Sequence, residues 1–266
     1  ADIAAEDVDW ILLPNIVSME SRCTHTNSYL CPWHQTLPFV IRRAPSLERH
    51  ADRFLSPTVR FDLGRRTVGR TLSDFLKQRL GVSKRAARGG VEAAFAAQDR
   101  FDEARAQAGR EALARLDAAG ETGILLVGRP YNPHDPGANL AVTRELSTYC
   151  GVNAIPQDCL DLSEIDVRDV NPRMYWHLGR SILAAAKLVG RRDNLHIIHI
   201  TNFKCGPDSF IKHFIRTASG KPFLTLQFDG HSNDAGMMTR CEAYLDSKGI
   251  LRPGRSREAA GSGMRV

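Results

Sequence analysis

The sequence lacks the features that mark several common classes of protein. None of its apolar runs approaches the length needed to cross a membrane. The first ten residues, ADIAAEDVDW, are acidic, whereas a secretory signal peptide begins with basic residues. These absences favour a cytoplasmic protein that does not span a membrane.

Cysteine occurs six times but never in a CxxC pair. The thiols lie at positions 23, 31, 150, 159, 205 and 241. Without a CxxC pair, a zinc ribbon or a thioredoxin-type motif has no support. Without a secretory leader, a disulfide framework is not expected either. The thiols are therefore either buried and inert or brought together by the fold.

The chain is basic but poor in aromatic residues. Its net charge is +6, and aromatic residues make up 7% of its 266 positions. The basic residues are concentrated in RFDLGRRTVGR, SKRAARGG and the C-terminal tail, where they are not interleaved with aromatic residues. Binding to nucleic acid is therefore disfavoured.

The second half of the sequence alternates apolar runs with helical patterns. The runs GILLVG, VNAIP, LHIIHI and PFLTLQF predict four strands, followed by helices over 135–151, 171–190, 207–220 and 234–249. Asp135 is predicted to cap the first of these helices. Strands that alternate with helices of this length predict a parallel sheet covered on both faces, which is a three-layer α/β domain.

The first half is less regular. DWILLP and PTVRF predict strands, HQTLPFVIRRA a helix or extended segment, and TLSDFLKQRLG an amphipathic helix. The Ala/Arg/Glu-rich stretch that follows predicts one long helix or two. The predicted organisation is a partial N-terminal α/β lobe, a helical connector, a C-terminal α/β lobe and a disordered tail, over 1–82, 83–120, 121–250 and 251–266.

The chemistry of such a fold is expected in the loops that follow the strands. Ligands of open α/β sheets bind beyond the carboxyl ends of the strands. The loop over 128–139 contains three prolines and lacks the glycine pattern of a phosphate-binding loop, so it suits a substrate cleft better than a pyrophosphate. The predicted cleft residues are Arg129, Asn132, His134, Asn202, Asp229 and His231. For Asp229 and His231, a role limited to ending a strand or shaping a loop stays equally open.

Cys205 follows the third apolar run and precedes a Gly-Pro pair. A thiolate at a helix N-terminus is stabilised by the positive end of the helix dipole. This position suits a nucleophile, a metal ligand or a buried thiol, and the sequence does not choose among them. Cys31 stands in a similar setting, because Pro32 follows it directly and shapes the turn.

Several motifs together resemble one family. GRPYNPHDPGANL, TNFKCGPDSF and FDGHSNDAGMMTRCEAYLDS look like the uncharacterised domain of CoA-enzyme activase proteins, and NSYLCPWHQTLP resembles the Cys-Pro segment of that domain. The family is related to 2-hydroxyacyl-CoA dehydratases and to double-cubane-cluster proteins. The resemblance extends from about Asp9 to Ser247.

The resemblance implies a fold and a cofactor. It implies two flavodoxin-like lobes, the first of them incomplete here, and an iron–sulfur cluster held by Cys31 and Cys205. It also implies a further cysteine upstream of DWILLP, outside this sequence. Cys23, Cys159, a partner chain or a non-protein ligand would then complete the set. Cys23 is the additional candidate within the chain.

The resemblance also implies partners and a function. An ATP-hydrolysing activase would deliver a low-potential electron, and the substrate would be a CoA thioester or another small molecule. We expect an oligomer or part of a larger assembly. Two alternatives to this function stay open. In the first, the chain is a non-catalytic scaffold lobe that docks an activase. In the second, it is a metal-free α/β enzyme that handles a nucleotide or a phosphate.

Overall fold

The computed structural model describes residues 2–21, 27–230 and 234–250. Its chain divides into two compact units. Unit 1 comprises Ala1–Asp102 and Arg173–His177, and unit 2 comprises Glu103–Pro172 and Leu178–Val266. The predicted tail over 251–266 lies outside the described residues.

Unit 1 contains two small parallel sheets and several helices. Its strands are β1 (Ile11–Leu12), β2 (Asn15–Ser18), β3 (Phe54–Leu55) and β4 (Thr58–Arg60), and its helices are α1 (Asp2–Ala5), α2 (Pro32–Arg42) and α3 (Arg65–Leu80). β1 pairs with β3, and β2 pairs with β4. The strand predicted at DWILLP is therefore reduced to two residues, and a separate strand follows it.

The long helical stretch forms one helix, α4 (Lys84–Ala119). It begins within the residues of unit 1 and ends within those of unit 2. The boundaries predicted for a separate connector stay a prediction.

Unit 2 is built on a four-stranded parallel sheet. The strands are β5 (Gly123–Gly128), β6 (Asn153–Pro156), β7 (Leu195–Asn202) and β8 (Leu224–Phe228). Their order across the sheet is β6-β5-β7-β8, and every pair is parallel. The helices are α5 (Tyr131–His134), α6 (Pro136–Asn139), α7 (Val142–Tyr149), α8 (His177–Gly190), α9 (Gly206–Ser219) and α10 (Asp234–Asp246).

An apolar core lies between one face of this sheet and helices α7 and α10. It includes Ile198 and Ile200 from β7, Leu146 from α7 and Leu245 from α10, all at most 1% exposed. Side chains alternate between the two faces of a strand, so Ile197, His199 and Thr201 face the opposite side. Thr201 there donates a hydrogen bond to Asp208 of α9.

Two predicted helices differ from the structure, one by an interruption and one at its start. The helix predicted over 135–151 is divided into α6 and α7, because Leu140 and Ala141 both adopt positive φ angles, 53° and 52°. Asp135 caps α6 as predicted, accepting hydrogen bonds from the N–H groups of Gly137 and Ala138.

The helix predicted from 171 begins only at His177. Within unit 1, the N–H of Tyr29 donates to the carbonyl of Tyr175, and the N–H of His177 donates to the carbonyl of Tyr29. These ladder-like bonds hold residues 175 and 176 extended, so the helix cannot start earlier.

The α/β class and the parallel sheets are confirmed. The order in unit 2 equals the first four positions of the flavodoxin-like order 2-1-3-4-5. Unit 1 contains two-stranded sheets only, within its described residues, so the expectation of two flavodoxin-like lobes is not confirmed. No helix within the described residues is both long and apolar enough to cross a membrane.

Helix α4 approaches the loop after β6 closely at Gly109. A Cβ atom added at Gly109 would lie 1.9 Å from the carbonyl oxygen of Cys159. We expect Gly109→Ala to destabilise the protein by about 1–3 kcal/mol, because the added methyl group overpacks a backbone contact. Gly89 lies in the same helix with open space around it. Gly89→Ala should therefore raise the free energy of unfolding by up to about 1 kcal/mol. Urea denaturation of both variants measures the contrast, and equal effects would contradict the close approach.

His199 is expected to make stability depend on pH. Its ring is fully buried, and neither ring nitrogen has a hydrogen-bond partner among the described residues. Burial lowers its pKa from 6.5 to about 4; nearby Asp208 raises it, whereas Lys212 and Arg129 lower it. Between these two pKa values the unfolded state binds the proton and the folded state does not. Stability contributed by neutral His199 is therefore complete above pH 6.5 and falls as the pH drops toward 4.

The difference between the two pKa values corresponds to roughly 3 kcal/mol. His199→Phe should therefore lose about that much less stability than the wild type between pH 7 and pH 4. Denaturant midpoints at several pH values measure this. Parallel pH curves for the two proteins would show that His199 does not titrate differently on folding.

Candidate functional site

The carboxyl edge of the unit 2 sheet brings together the loops after β5 and β7. β5 connects to β6 on one side, and the chain then crosses to β7 on the other side of β5. This reversal between β5 and β7 is the topological switch point at which open α/β sheets bind ligands. Arg129 follows β5 directly, and Asn202 is the last residue of β7.

A buried ion pair joins the two loops. One terminal nitrogen of Arg129 donates to the Asp208 carboxylate at 2.9 Å and to Asn202 Oδ1 at 2.6 Å. Arg129 is 8% exposed, and Asp208 is fully buried. Burial lowers the pKa of Arg129, but the raising effects of Asp208, Tyr131 and Cys205 together outweigh it, and the net pKa is raised. Breaking a buried pair leaves an uncompensated charge, so this contact holds the two loops in one geometry.

Cys205 occupies the N-cap position of α9. Gly206 and Pro207 form the first turn, which suits a helix start because proline has no N–H to leave unpaired. Burial raises the pKa of the half-buried thiol, although the Asp208 N–H and the Arg129 charge act in the opposite direction. The thiol is therefore not activated as a nucleophile by its surroundings. A bound metal ion supplies the charge that deprotonates such a thiol.

Cys31 occupies the matching position in unit 1. It is the N-cap residue of α2, and Pro32 is the first residue of that helix. Its Sγ lies 3.2 Å from Nδ1 of His34. The two thiols implied as cluster ligands, one in each unit, thus both stand at the N-cap of a helix that has proline in its first turn.

The remaining predicted cleft residues in unit 2 have different settings. Asn132 is almost fully buried and donates from Nδ2 to the carbonyl of Ile200. Its amide therefore braces the end of β5 against β7. Asp229 is exposed directly after β8. His231 and Cys23 lie outside the described residues.

His134 belongs to a second polar cluster on the same edge of the sheet. Its Nε2 lies 2.8 Å from Oδ1 of Asp158, in the loop after β6. Arg105 of α4 donates to the other carboxylate oxygen of Asp158 at 3.1 Å. Asp158 therefore links the loop after β5 to α4.

The other cysteines differ in burial. Cys150 and Cys241 lie in the apolar core beside α7 and α10, and burial raises their pKa values to about 11 and about 12. Both are inert thiols. Cys159 is half-buried, and burial raises its pKa as well.

Sequence reasoning missed the residue that organises the site. Asp208 lies at the start of a predicted helix, where an acidic residue ordinarily meets solvent and the helix dipole. The buried Gln157, which accepts from the N–H of Gly128 at 3.2 Å and fixes the loop after β6, was missed too. No local pattern marks either residue as buried.

The two thiols are the right type of ligand for an iron–sulfur cluster, but two ligands are too few to hold one. Thiols that begin helices and are not in disulfides are suitable ligands. However, no group of three or more His, Cys, Asp or Glu residues that could hold a metal occurs among residues 2–21, 27–230 and 234–250. Each unit offers one such thiol from its described part.

Comparison with known proteins identifies a family. The sequence profile of the CoA enzyme activase uncharacterised domain matches residues 1–160. The match includes NSYLCPWHQTLP and GRPYNPHDPGANL and ends before TNFKCGPDSF. No curated protein and no solved structure matches the chain. The relation to dehydratases and double-cubane proteins stays a prediction.

The Arg129–Asp208 pair can be tested by removing each charge. We expect Asp208→Asn to lower the free energy of unfolding by about 3–5 kcal/mol, because Arg129 keeps a buried charge without its partner. The double variant Arg129→Met/Asp208→Asn should be less destabilised than the sum of the single variants. Chemical denaturation of the four proteins measures the coupling, and strict additivity would show that the two charges do not interact.

Proposed function

Because the chain belongs to the family of the CoA enzyme activase uncharacterised domain, we propose that it is the electron-accepting component of an activase system. In this proposal Cys31 and Cys205 bind an iron–sulfur cluster. The cluster, when bound, supplies one-electron redox chemistry at low potential. An ATP-hydrolysing activase provides the electron, and a CoA thioester or a similar small molecule receives it.

The observation that carries the proposal is the shared position of the two thiols. Each is the N-cap residue of a helix that contains proline in its first turn. The helix dipole stabilises a thiolate at this position. For Cys205, burial keeps the free thiol protonated, which favours metal ligation over nucleophilic attack.

The surrounding residues position the Cys205 loop. The Arg129–Asp208 pair fixes the first turn of α9 against the end of β5. Asn202, Asn132 and His134 complete the polar edge of the sheet, and Asp229 and His231 are the further candidates for the cleft.

Two cysteines alone do not complete the ligand set of such a cluster. Cys23 is the candidate within this chain, and a second chain or a non-protein ligand is the alternative. Cys159, which follows the paired Asp158, is the remaining thiol near the same edge of the unit 2 sheet.

A second candidate function is a scaffold domain without a cluster. The observation that favours it is that the described residues contain no group of three metal ligands. In this case the chain docks an activase and takes no part in electron transfer. The metal-free phosphate enzyme is less favoured, because Arg129 is paired with Asp208 and its charge is not available to a phosphate.

Iron content distinguishes these functions. We expect the anaerobically purified and reconstituted wild type to contain iron and acid-labile sulfide. Both should be lost in Cys31→Ala and in Cys205→Ala, because each substitution removes one thiolate ligand. Cys150→Ala removes a core thiol and should keep the iron, which controls for general effects of losing a cysteine. Iron and sulfide assays with the visible absorption spectrum measure the result.

Two results would contradict the cluster. A wild type without iron after reconstitution would favour the scaffold function. Equal iron in all four proteins would show that neither Cys31 nor Cys205 is a ligand.

A further inference from the structure

A cavity of about 180 Å³ lies between β4 and α3 in unit 1. The chain leaves β4 through a short turn at Phe61–Leu63 and enters α3 after Gly64, whose φ angle is 80°. This conformation suits glycine, and it lets the helix pack back against the strand. Packed elements ordinarily leave few spaces larger than a water molecule, so a space of this size is a candidate binding site.

Apolar side chains line much of this cavity. Val59 of β4 and Val68 of α3 are 4% and 3% exposed. Leu72 of α3 and Leu63, in the turn before the helix, complete the apolar part of the lining. Such a surface suits the apolar body of a small ligand.

Three threonines add hydroxyl groups to the lining. Thr67 and Thr71 lie one turn apart on α3, and Thr58 lies on β4. A threonine hydroxyl in a helix commonly donates to the carbonyl four residues earlier, as Thr36 does at 2.8 Å and Thr217 at 3.2 Å. The side chains of Thr67 and Thr71 make no hydrogen bond to another described residue. Their hydroxyls can therefore bond to a ligand.

A buried amide orients the hydroxyl of Thr58. Asn15, which is 6% exposed, donates from Nδ2 to Thr58 Oγ1 at 3.4 Å. Because the oxygen of this hydroxyl accepts a hydrogen bond, its proton stays available as a donor. The cavity thus offers a donor as well as acceptors, which suits a hydroxyl or a carbonyl group.

The charge of Arg60, the remaining residue of the lining, is compensated. Arg60 donates to Asp62 at 2.8 Å, and Asp62 also accepts from Ser18. The carboxylate of Asp62 repels an anion that the guanidinium attracts, so the cavity favours an uncharged ligand.

We propose that this cavity binds a small uncharged molecule that has an apolar body about the size of a benzene ring and one hydroxyl or carbonyl group. An apolar cavity of about 150 Å³ accommodates benzene. The volume of about 180 Å³ therefore leaves room for one ring and a small substituent. The apolar body lies against Val59 and Val68, and the polar group bonds to the threonine hydroxyls. This site does not depend on the proposed cluster.

Methyl NMR of the full chain, titrated with benzyl alcohol at neutral pH, tests the proposal. The methyl signals of Val59 and Val68 should shift in a saturable way, with a dissociation constant in the millimolar range or below. Those of Val127, which is buried in the sheet of unit 2, should not move.

Two further compounds test the chemical class of the ligand. Toluene and benzoate carry the same ring as benzyl alcohol, with a methyl group or a carboxylate in place of the alcohol. We expect both to bind at least about threefold more weakly, because toluene forms no hydrogen bond and benzoate meets the carboxylate of Asp62.

Variants at the threonines test the location. Thr71→Phe should weaken binding of benzyl alcohol at least about tenfold, because the added ring fills the cavity. Thr71 is exposed, so this variant should fold. Thr217→Phe makes the same change on α9, outside the cavity, and should bind like the wild type.

A double variant tests the hydroxyls without changing the shape of the cavity. Thr67→Val/Thr71→Val should bind benzyl alcohol about threefold more weakly or worse, because both helix hydroxyls are lost. Thr36→Val/Thr217→Val removes two helix hydroxyls that do not line the cavity and should have no effect.

Shifts of the Val59 and Val68 methyls that are lost in Thr71→Phe and weakened in the double valine variant support the site. Unchanged methyl signals would show that the cavity holds only water, and equal binding by Thr71→Phe would place the compound elsewhere. Tighter binding of benzoate would assign the cavity to an anion, and equal binding of toluene would assign it to a purely apolar ligand. Each of these four results overturns the proposal.

Discussion

The ion pair between Arg129 and Asp208 joins two loops that are far apart in the sequence and adjacent at the sheet edge. Arg129 follows β5, Asp208 lies in the first turn of α9, and both side chains are nearly or fully buried. A buried pair contributes little net stability when complete, and its loss is costly. The main effect of this pair is to fix the positions of the two loops. The first turn of α9, and with it Cys205, is held in one place relative to the end of β5.

Burial, together with this pair, explains why Cys205 is not a typical reactive thiol. A nearby arginine and a helix N-terminus ordinarily lower the pKa of a cysteine. Here burial raises the pKa of Cys205, and the charge of Asp208 opposes the effect of the arginine. A thiol with these neighbours is a poor nucleophile. The geometry therefore argues against covalent catalysis, and the ligand role that the family resemblance implies stays a proposal.

Much of the fold and part of the site could be predicted from the sequence. Asp135 as a cap, Gly220 as the end of α9 and proline after each of the two cysteines all act within one helical turn, so local patterns reveal them. The helix predicted from 171 was wrong at its start, because residues 175–177 pair with Tyr29, which is about 150 positions away. The loop sequence predicts His134 as a cleft residue. It does not predict the partner Asp158, because a contact between two loops leaves no local signal.

The sequence by itself determined the alternation of strands and helices in unit 2 and the loops in which polar residues accumulate. These features depend on periodicity and on turn chemistry over a few residues. Only the tertiary structure decided that β5 lies between β6 and β7, because strand order depends on long-range pairing. That order places Arg129 beside Asn202 and Asp208 at the switch point, and it turns a single cysteine after an apolar run into the centre of a candidate site.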